Sequence, residues 1–139
     1  MKIKIKRLHP DAKMPTRGTA SAAGFDLYAS KPAVLGSHEP KMIATGLAFE
    51  IPDSYVGVVY SRSSTAQQGV VITPLLVDAD YRGEVFILAN NQNDWPVEVR
   101  TGDRIAQIRI EKLIETEYEW AEELSETERG CGGYGSTGR

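Results

Sequence analysis

A chain of 139 residues has room for one ordinary hydrophobic core, and a single domain is expected. Its 16 Lys and Arg against 19 Asp and Glu give a formal charge of −3, with no block of like charge in the body of the sequence, which argues against a polycation built to hold a nucleic-acid backbone. Cys131 is the only cysteine, so an intrachain disulfide is excluded, and His9 and His38 lack the spacing of a zinc site.

The chain opens on "KIKIKRL", where alternation sets Lys2, Lys4 and Lys6 on one face and Ile3 and Ile5 on the other. That pattern reads as an edge strand whose lysines discourage pairing with other chains. The first residues carry no apolar run of signal-sequence length, and no stretch approaches the roughly 18 apolar residues of a membrane span. With the lone cysteine, the expectation is a reducing compartment: the cytoplasm, or the nucleus of a eukaryotic host, without secretion or membrane insertion.

Period-two runs then follow one another: Ile43, Thr45, Leu47, Phe49 and Ile51 with their neighbours facing the other way, then "YVGVVY", "GVVI", "EVFILA", "VEV" and "RIAQIRI". Turn signals such as "LGSHEP", "PDS", "NQND" and "RTGD" separate them. The expected fold class is therefore all-β, a sandwich or barrel, with no βαβ unit for a doubly wound nucleotide fold. One short helical turn is expected around "SSTAQQG", with Ser64 as a cap and Gly69 as its end. The alternation fades after Leu113. Residues 1–113 are read as the β domain, 114–128 as an extended, glutamate-rich connector, and 129–139, "RGCGGYGSTGR", as a flexible arm with five glycines in eleven residues.

Several residues could carry chemistry. Asp26, in "AAGFDLYAS", reads either as turn chemistry or as a placed carboxylate. In "YSRSSTAQQG", Arg62, Ser63 and Ser64 follow a strand and offer a guanidinium, two hydroxyls and successive backbone N–H groups; an anion site and a simple capped turn are both open. In "VDADYRGEV", period two would put Asp78 and Asp80 on one face and Tyr81 on the other unless the turn rotates it, and two acids with an Arg in a hairpin are usually surface residues. In "GDRIAQIRI", Ala106, Ile108 and Ile110 share a face, which leaves Gln107 on the opposite one with Ile105 and Arg109.

Taken in order on an all-β chain, five motifs resemble those of the trimeric deoxyuridine triphosphatases, the dUTPases. They are Ala23-Gly24-Phe25-Asp26-Leu27, Arg62-Ser63-Ser64, Asp78-Ala79-Asp80-Tyr81-Arg82-Gly83-Glu84, Arg104-Ile105-Ala106-Gln107, and Arg129-Gly130 through Gly133-Tyr134-Gly135-Ser136-Thr137-Gly138. The resemblance runs from about residue 20 to the end of the chain.

The resemblance implies a distorted β-barrel or jelly-roll, assembled as a homotrimer with active sites at subunit interfaces. The implied activity is Mg²⁺-dependent hydrolysis of dUTP to dUMP and pyrophosphate by water attack at the α-phosphorus, which limits uracil in DNA and supplies dUMP for dTMP synthesis. Asp78 would be the general base. Arg62, Ser63, Ser64 and Gln107 would hold the phosphates, and Asp26 would orient a phosphate-binding Arg or metal-bound water. Tyr81 would pack on C2′ of the deoxyribose and leave no room for a ribose hydroxyl. The arm would close the site, with Arg129, Ser136 and Thr137 on the phosphates and Tyr134 stacked on uracil, a contact worth roughly 1–3 kcal/mol. Mg²⁺ would be held mainly by substrate oxygens and water, with no direct protein cage.

Two departures stand out. Pro74 and Leu75, in "TPLLVDADY", occupy positions where small residues are usual in a loop whose backbone reads uracil, and the expectation is that Leu75 is redirected and the pocket kept. Thr65 stands where an apolar residue is usual, and is expected to tune packing. Two other classes share these features. A deaminase on the same fold would lack Tyr81 and the glycine-rich arm, and a non-catalytic binding module would bind a partner without turning over nucleotide.

Overall fold

In the computed structural model, residues 1–133 are described, and they contain eleven strands and one short helix. In chain order these are β1 (Lys4–Arg7), β2 (Phe25–Tyr28), β3 (Ala33–Leu35), β4 (Pro40–Ala44), β5 (Leu47–Glu50), β6 (Tyr55–Ser61), α1 (Ser63–Gln67), β7 (Val70–Thr73), β8 (Leu75–Val77), β9 (Phe86–Asn91), β10 (Val97–Val99) and β11 (Arg104–Lys112). Pairing is antiparallel, in four sheets ordered β2-β11-β6-β8, β4-β9-β7, β1-β5 and β10-β3.

Side chains from all four sheets meet in one core, which makes the architecture a distorted jelly-roll barrel. Leu27, Leu35, Ile43, Val59 and Ile87 are almost completely excluded from water. β9 shows the alternation most clearly: Ile87, Ala89 and Asn91 point inward and Phe86, Leu88 and Asn90 lie half-buried between them. β6 is buried along most of its length because β11 and β8 flank it on both sides, which is why "YVGVVY" is valine-rich rather than alternating with charge.

The strand expected across residues 43–51 is two strands. Thr45 and Gly46 break it, and Gly46 takes a positive φ of 67° in a space where a Cβ would stand 2.8 Å from the Cβ atoms of His9 and Ala12. The Thr45 hydroxyl donates to the carbonyl of Val85 at 2.5 Å, and the Val85 N–H donates to the carbonyl of Leu47 at 2.8 Å, so the break is stitched to the start of β9.

β11 also departs from strict alternation. Its register against β2 shifts between Arg104 and Ala106, a bulge that leaves both Ile105 and Ala106 buried, while Gln107 remains on the half-exposed face.

The helical turn forms as α1 and ends at Gly69, with φ of 77°. Its start is not capped by Ser64. Arg62 occupies the N-cap position, no side chain caps the helix, and the Ser64 hydroxyl instead accepts a hydrogen bond from the Arg62 guanidinium. Thr65 is buried and donates to the carbonyl of Ile105 at 3.0 Å, fastening α1 to β11 by a bond that an apolar side chain could not make.

β1 pairs with β5 alone among the described residues, with Ile5 opposite Phe49 and Lys4 opposite Glu50. Lys4 Nζ donates to Glu50 Oε1 at 2.9 Å, and this bond holds the Glu50 carboxyl below its ordinary range. Beyond β11, residues 113–133 form neither helix nor strand.

Candidate functional site

Asp26 sits in the middle of the sheet end formed by β2, β11 and β6. Its backbone N–H donates to Thr16 at 2.7 Å, and its Cα lies opposite Gln107 on β11. The carboxylate is nearly excluded from water at 9% exposure, yet both oxygens are engaged. Arg62 Nε donates to Oδ1 at 2.7 Å, and Arg104 donates to Oδ2 at 3.4 Å. A second nitrogen of Arg62 reaches the Ser64 hydroxyl at 3.0 Å and the carbonyl of Arg104 at 3.2 Å. Two guanidiniums on one carboxylate leave a net positive charge at this end of the sheet, with the Ser64 hydroxyl beside it: a local anion attractor on a chain of net negative charge.

Gln107 projects alongside. Its amide nitrogen donates to the carbonyl of Ser61 at 2.8 Å, while its Oε1 lies so close to Gly24 that a Cβ there would stand 2.6 Å away. Gly24 is therefore the residue that makes room for the amide. Gln107, Ser61, Ala23, Tyr60, Ile72 and Pro74 line an open hollow of about 470 Å³ together with Arg109. Tyr60 donates to Glu111 at 2.9 Å, and this bond pushes its phenol above the ordinary value.

Asp78 and Tyr81 stand on a different part of the chain. Asp78 follows β8, and the N–H of Tyr81 donates back to the carbonyl of Asp78 at 3.1 Å, so residues 78–81 form a turn and strand alternation does not extend through Asp80. The Tyr81 hydroxyl donates to the carbonyl of Glu84 at 3.0 Å, and Arg82 closes the turn onto the carbonyl of Ala79 at 2.6 Å. Register places this turn at the far end of β6. Val77 lies opposite Gly57, so Asp78 falls beside Val56, and Arg62 is six residues further along: about 20 Å at roughly 3.3 Å per residue.

The chain thus brings Asp26, Arg62, Ser64 and Gln107 to one place and holds Asp78 and Tyr81 at another. Ser63, the first residue of α1, is exposed beside the arginine cluster. Arg129 belongs to an exposed pair of turns near the end of the described chain, where Gly130 donates to Thr127 and Gly132 to Arg129. Tyr134, Ser136 and Thr137 lie outside the described residues.

Two participants carried no assigned role in the sequence reading. Arg104 shares Asp26 with Arg62, which only the β2–β11 register reveals. Glu84 accepts the Gly46 N–H at 2.7 Å, a contact between residues 38 apart with no local signal.

The sequence model of the dUTPase family matches residues 10–138. A deoxyuridine 5'-triphosphate nucleotidohydrolase of Nautilia profundicola is 43% identical over 142 residues, covering 100% of both chains. Among solved structures, a substituted dUTPase of Staphylococcus bacteriophage 80alpha with dUpNHpp superposes with a TM-score of 0.93 at 29% identity, covering 99% of each chain. A substituted dUTPase of phage phi11 of S. aureus, described with a structural Mg(II) ion, has a TM-score of 0.83 at 25% identity, covering 89% of this chain and 99% of that one.

Removing Asp26 takes a charged acceptor from Arg62, whose side chain is 20% exposed, and from the half-exposed Arg104, which can turn to solvent, so the cost is roughly 1.5–3 kcal/mol. Asp26→Ala is accordingly expected to lower unfolding free energy by about that amount in urea titrations. Asp26→Asn, which keeps one acceptor oxygen, should fall between it and wild type. A midpoint for Asp26→Ala equal to wild type would show that the two arginines do not depend on the carboxylate.

Proposed function

The chain belongs to the dUTPase family and hydrolyses dUTP to dUMP and pyrophosphate, and we propose that it does so as a homotrimer whose active sites are each assembled across subunit boundaries. The observation that carries this reading is the separation of about 20 Å along β6 between the Asp78–Tyr81 turn and the Arg62–Asp26 cluster. A base and a phosphate clamp that far apart cannot serve one α-phosphorus. A second copy has to bring its turn to the first copy's arginines.

Residues 114–124 favour such self-assembly. Ile114, Tyr118, Trp120 and Leu124 are all strongly exposed; up to the bend at Glu122, alternation sets Ile114, Tyr118 and Trp120 opposite Glu115, Glu117 and Glu119. β1 offers a complementary edge. Among the described residues it pairs on one side only, and Lys2, Lys4, Lys6 and Arg7 are exposed along it.

In the composite site, Arg62, Ser63, Ser64 and Gln107 hold the triphosphate, and Asp26 fixes the direction of the Arg62 guanidinium. The Asp78 carboxylate takes a proton from water as the water oxygen bonds to the α-phosphorus. The bond from that phosphorus to the bridging oxygen breaks, and pyrophosphate leaves with the electron pair. Tyr81 packs on C2′ of the sugar, where an unpaired ribose hydroxyl would cost about 1–3 kcal/mol before any clash. Residues 129–139 close over the nucleotide, with Arg129, Ser136 and Thr137 on the phosphates and Tyr134 stacked on uracil.

The donor set suits Mg²⁺ carried by the substrate. Both oxygens of Asp26 are taken by guanidiniums, and among the described residues no three His, Cys, Asp or Glu side chains converge. Mg²⁺ brought in with the substrate would offset the negative charge that develops on pyrophosphate. No helix among the described residues is long and apolar enough to cross a membrane. From the lone cysteine, the proposed location is the cytoplasm, or the nucleus of a eukaryotic host.

Pyrophosphate release measured in parallel from dUTP, UTP, dTTP and dCTP tests the activity. Turnover confined to dUTP and abolished by EDTA is expected, whereas equal turnover of dTTP or dCTP would remove uracil selectivity from the proposal. Asp78→Asn should keep nucleotide affinity and lower kcat at least ~100-fold, the lower range for losing a general base; near-wild-type turnover would take that role from Asp78. Deleting residues 129–139 should leave the oligomer intact by light scattering and remove most activity, and a fully active truncated trimer would show that the arm closes nothing.

A further inference from the structure

Tyr81 is held by its neighbours through a short chain of contacts that ends far away in sequence. Its ring lies over Gly83, so closely that a Cβ on that residue would stand 2.5 Å from the phenol oxygen and 2.6 Å from Cζ. Its hydroxyl donates to the backbone carbonyl of Glu84 at 3.0 Å. The pose of the ring is therefore set by where the backbone of residues 83 and 84 lies.

That backbone is fixed by the Glu84 side chain. Its half-buried carboxylate accepts the N–H of Gly46 at 2.7 Å. Gly46 is itself a rigid anchor: it has a positive φ, walls of His9, Ala12 and Ser30 against its Cα, and a carbonyl that accepts from Leu8 N–H at 2.7 Å. The next residue, Val85, is bound on both sides to Thr45 and Leu47. A carboxylate accepting a backbone N–H is a charge-assisted bond, stronger than a neutral one and more directional than packing.

We propose that Glu84 is a positioning residue for sugar discrimination: its bond to Gly46 holds the carbonyl that pins the Tyr81 hydroxyl, and so fixes the ring against the space a ribose 2′-hydroxyl would need. This rests on the placement of Tyr81 beside C2′ of the substrate. Asp78 shares the turn with Tyr81, so the discriminating readout is the ratio of dUTP to UTP turnover, in which any common effect on the Asp78 end of the turn cancels. A ring free to retreat by even a fraction of an ångström admits the hydroxyl.

Three variants separate the geometry of the tether from its charge. Glu84→Gln keeps an acceptor oxygen at the same reach, Glu84→Asp keeps the charge but withdraws it by one methylene, and Glu84→Ala removes both. The ratio of kcat/KM for dUTP to that for UTP is expected to fall at least ~10-fold in Glu84→Asp and Glu84→Ala, and to stay within about 3-fold of wild type in Glu84→Gln. In a Tyr81→Phe background, which lacks the pinned hydroxyl, Glu84→Asp should change the ratio no further. An unchanged ratio in Glu84→Asp, an equal fall in Glu84→Gln, or a further fall in the Tyr81→Phe background would each overturn the proposal.

Should Glu84→Ala fail to fold, the Asp and Gln pair carries the same comparison. A second readout is independent of turnover. In the free protein, amide exchange of Gly46 and the Tyr81 ring resonances should change in Glu84→Asp and not in Glu84→Gln, and unmoved signals would overturn the tether itself. If the wild-type protein is inert toward dUTP while Glu84→Asp still shows these spectral changes, the tether stands and the placement of Tyr81 at the sugar falls.

Discussion

The buried carboxylate of Asp26 is the constraint on which the phosphate end of the molecule depends. It lies where β2, β11 and the end of β6 converge, and it gives one oxygen to each of two arginines that leave the sheet at different points. Two guanidiniums so close together would repel and swing into solvent without it. With it, Arg62 is aligned by Nε, and one further nitrogen spans Ser64 and the carbonyl of Arg104. The cost of burying an anion is met by these two cations, so the guanidiniums are held in one arrangement, and in the proposed site they are set before substrate arrives.

This explains how a chain of net charge −3 binds a triphosphate. Several of its acids belong to other elements: Glu115, Glu117, Glu119 and Glu123 lie on the segment beyond β11, and Glu50 is engaged with Lys4 on β5. At contact distance the field comes from the two arginines and from whatever cation the phosphates carry, and more distant exposed charges are screened by salt within about 10 Å. Acidity in the connector has its own use if it faces the lysines of β1 in another copy, because attraction between the segments then favours assembly between chains.

Much of the fold was legible because antiparallel strands with one wet face write their period into the sequence. β1, β6, β7, β9, β10 and β11 all coincide with visible runs. β3 and β8 are continuous apolar triplets, Ala33-Val34-Leu35 and Leu75-Leu76-Val77, and show no period, whereas the equally short β10 alternates around Glu98. The split between β4 and β5 was hidden because Thr45 is buried like a strand residue while its hydroxyl serves the break, and only the contacts of Gly46 show why the chain must turn there. The residues that the family resemblance singled out were legible as motifs, but their division into two distant groups was not. That division follows from the pairing of Val77 with Gly57, a fact about register that no local pattern contains.

Register also bears on the unusual "TPLL" loop. Pro74 is the single residue between β7 and β8, where the chain passes from one sheet to another and no ladder bond is required of its nitrogen. The missing N–H therefore costs the fold nothing, and the fixed φ of proline stiffens a junction that has to change direction. Leu75, directly after it, pairs with Val59 and is half-buried, so its side chain is directed by β8 rather than left to hang in the loop. Pro74 lines the same hollow as Gln107, so the residue that stands where a small one is usual presents a rigid apolar wall beside the Gln107 amide of its own chain.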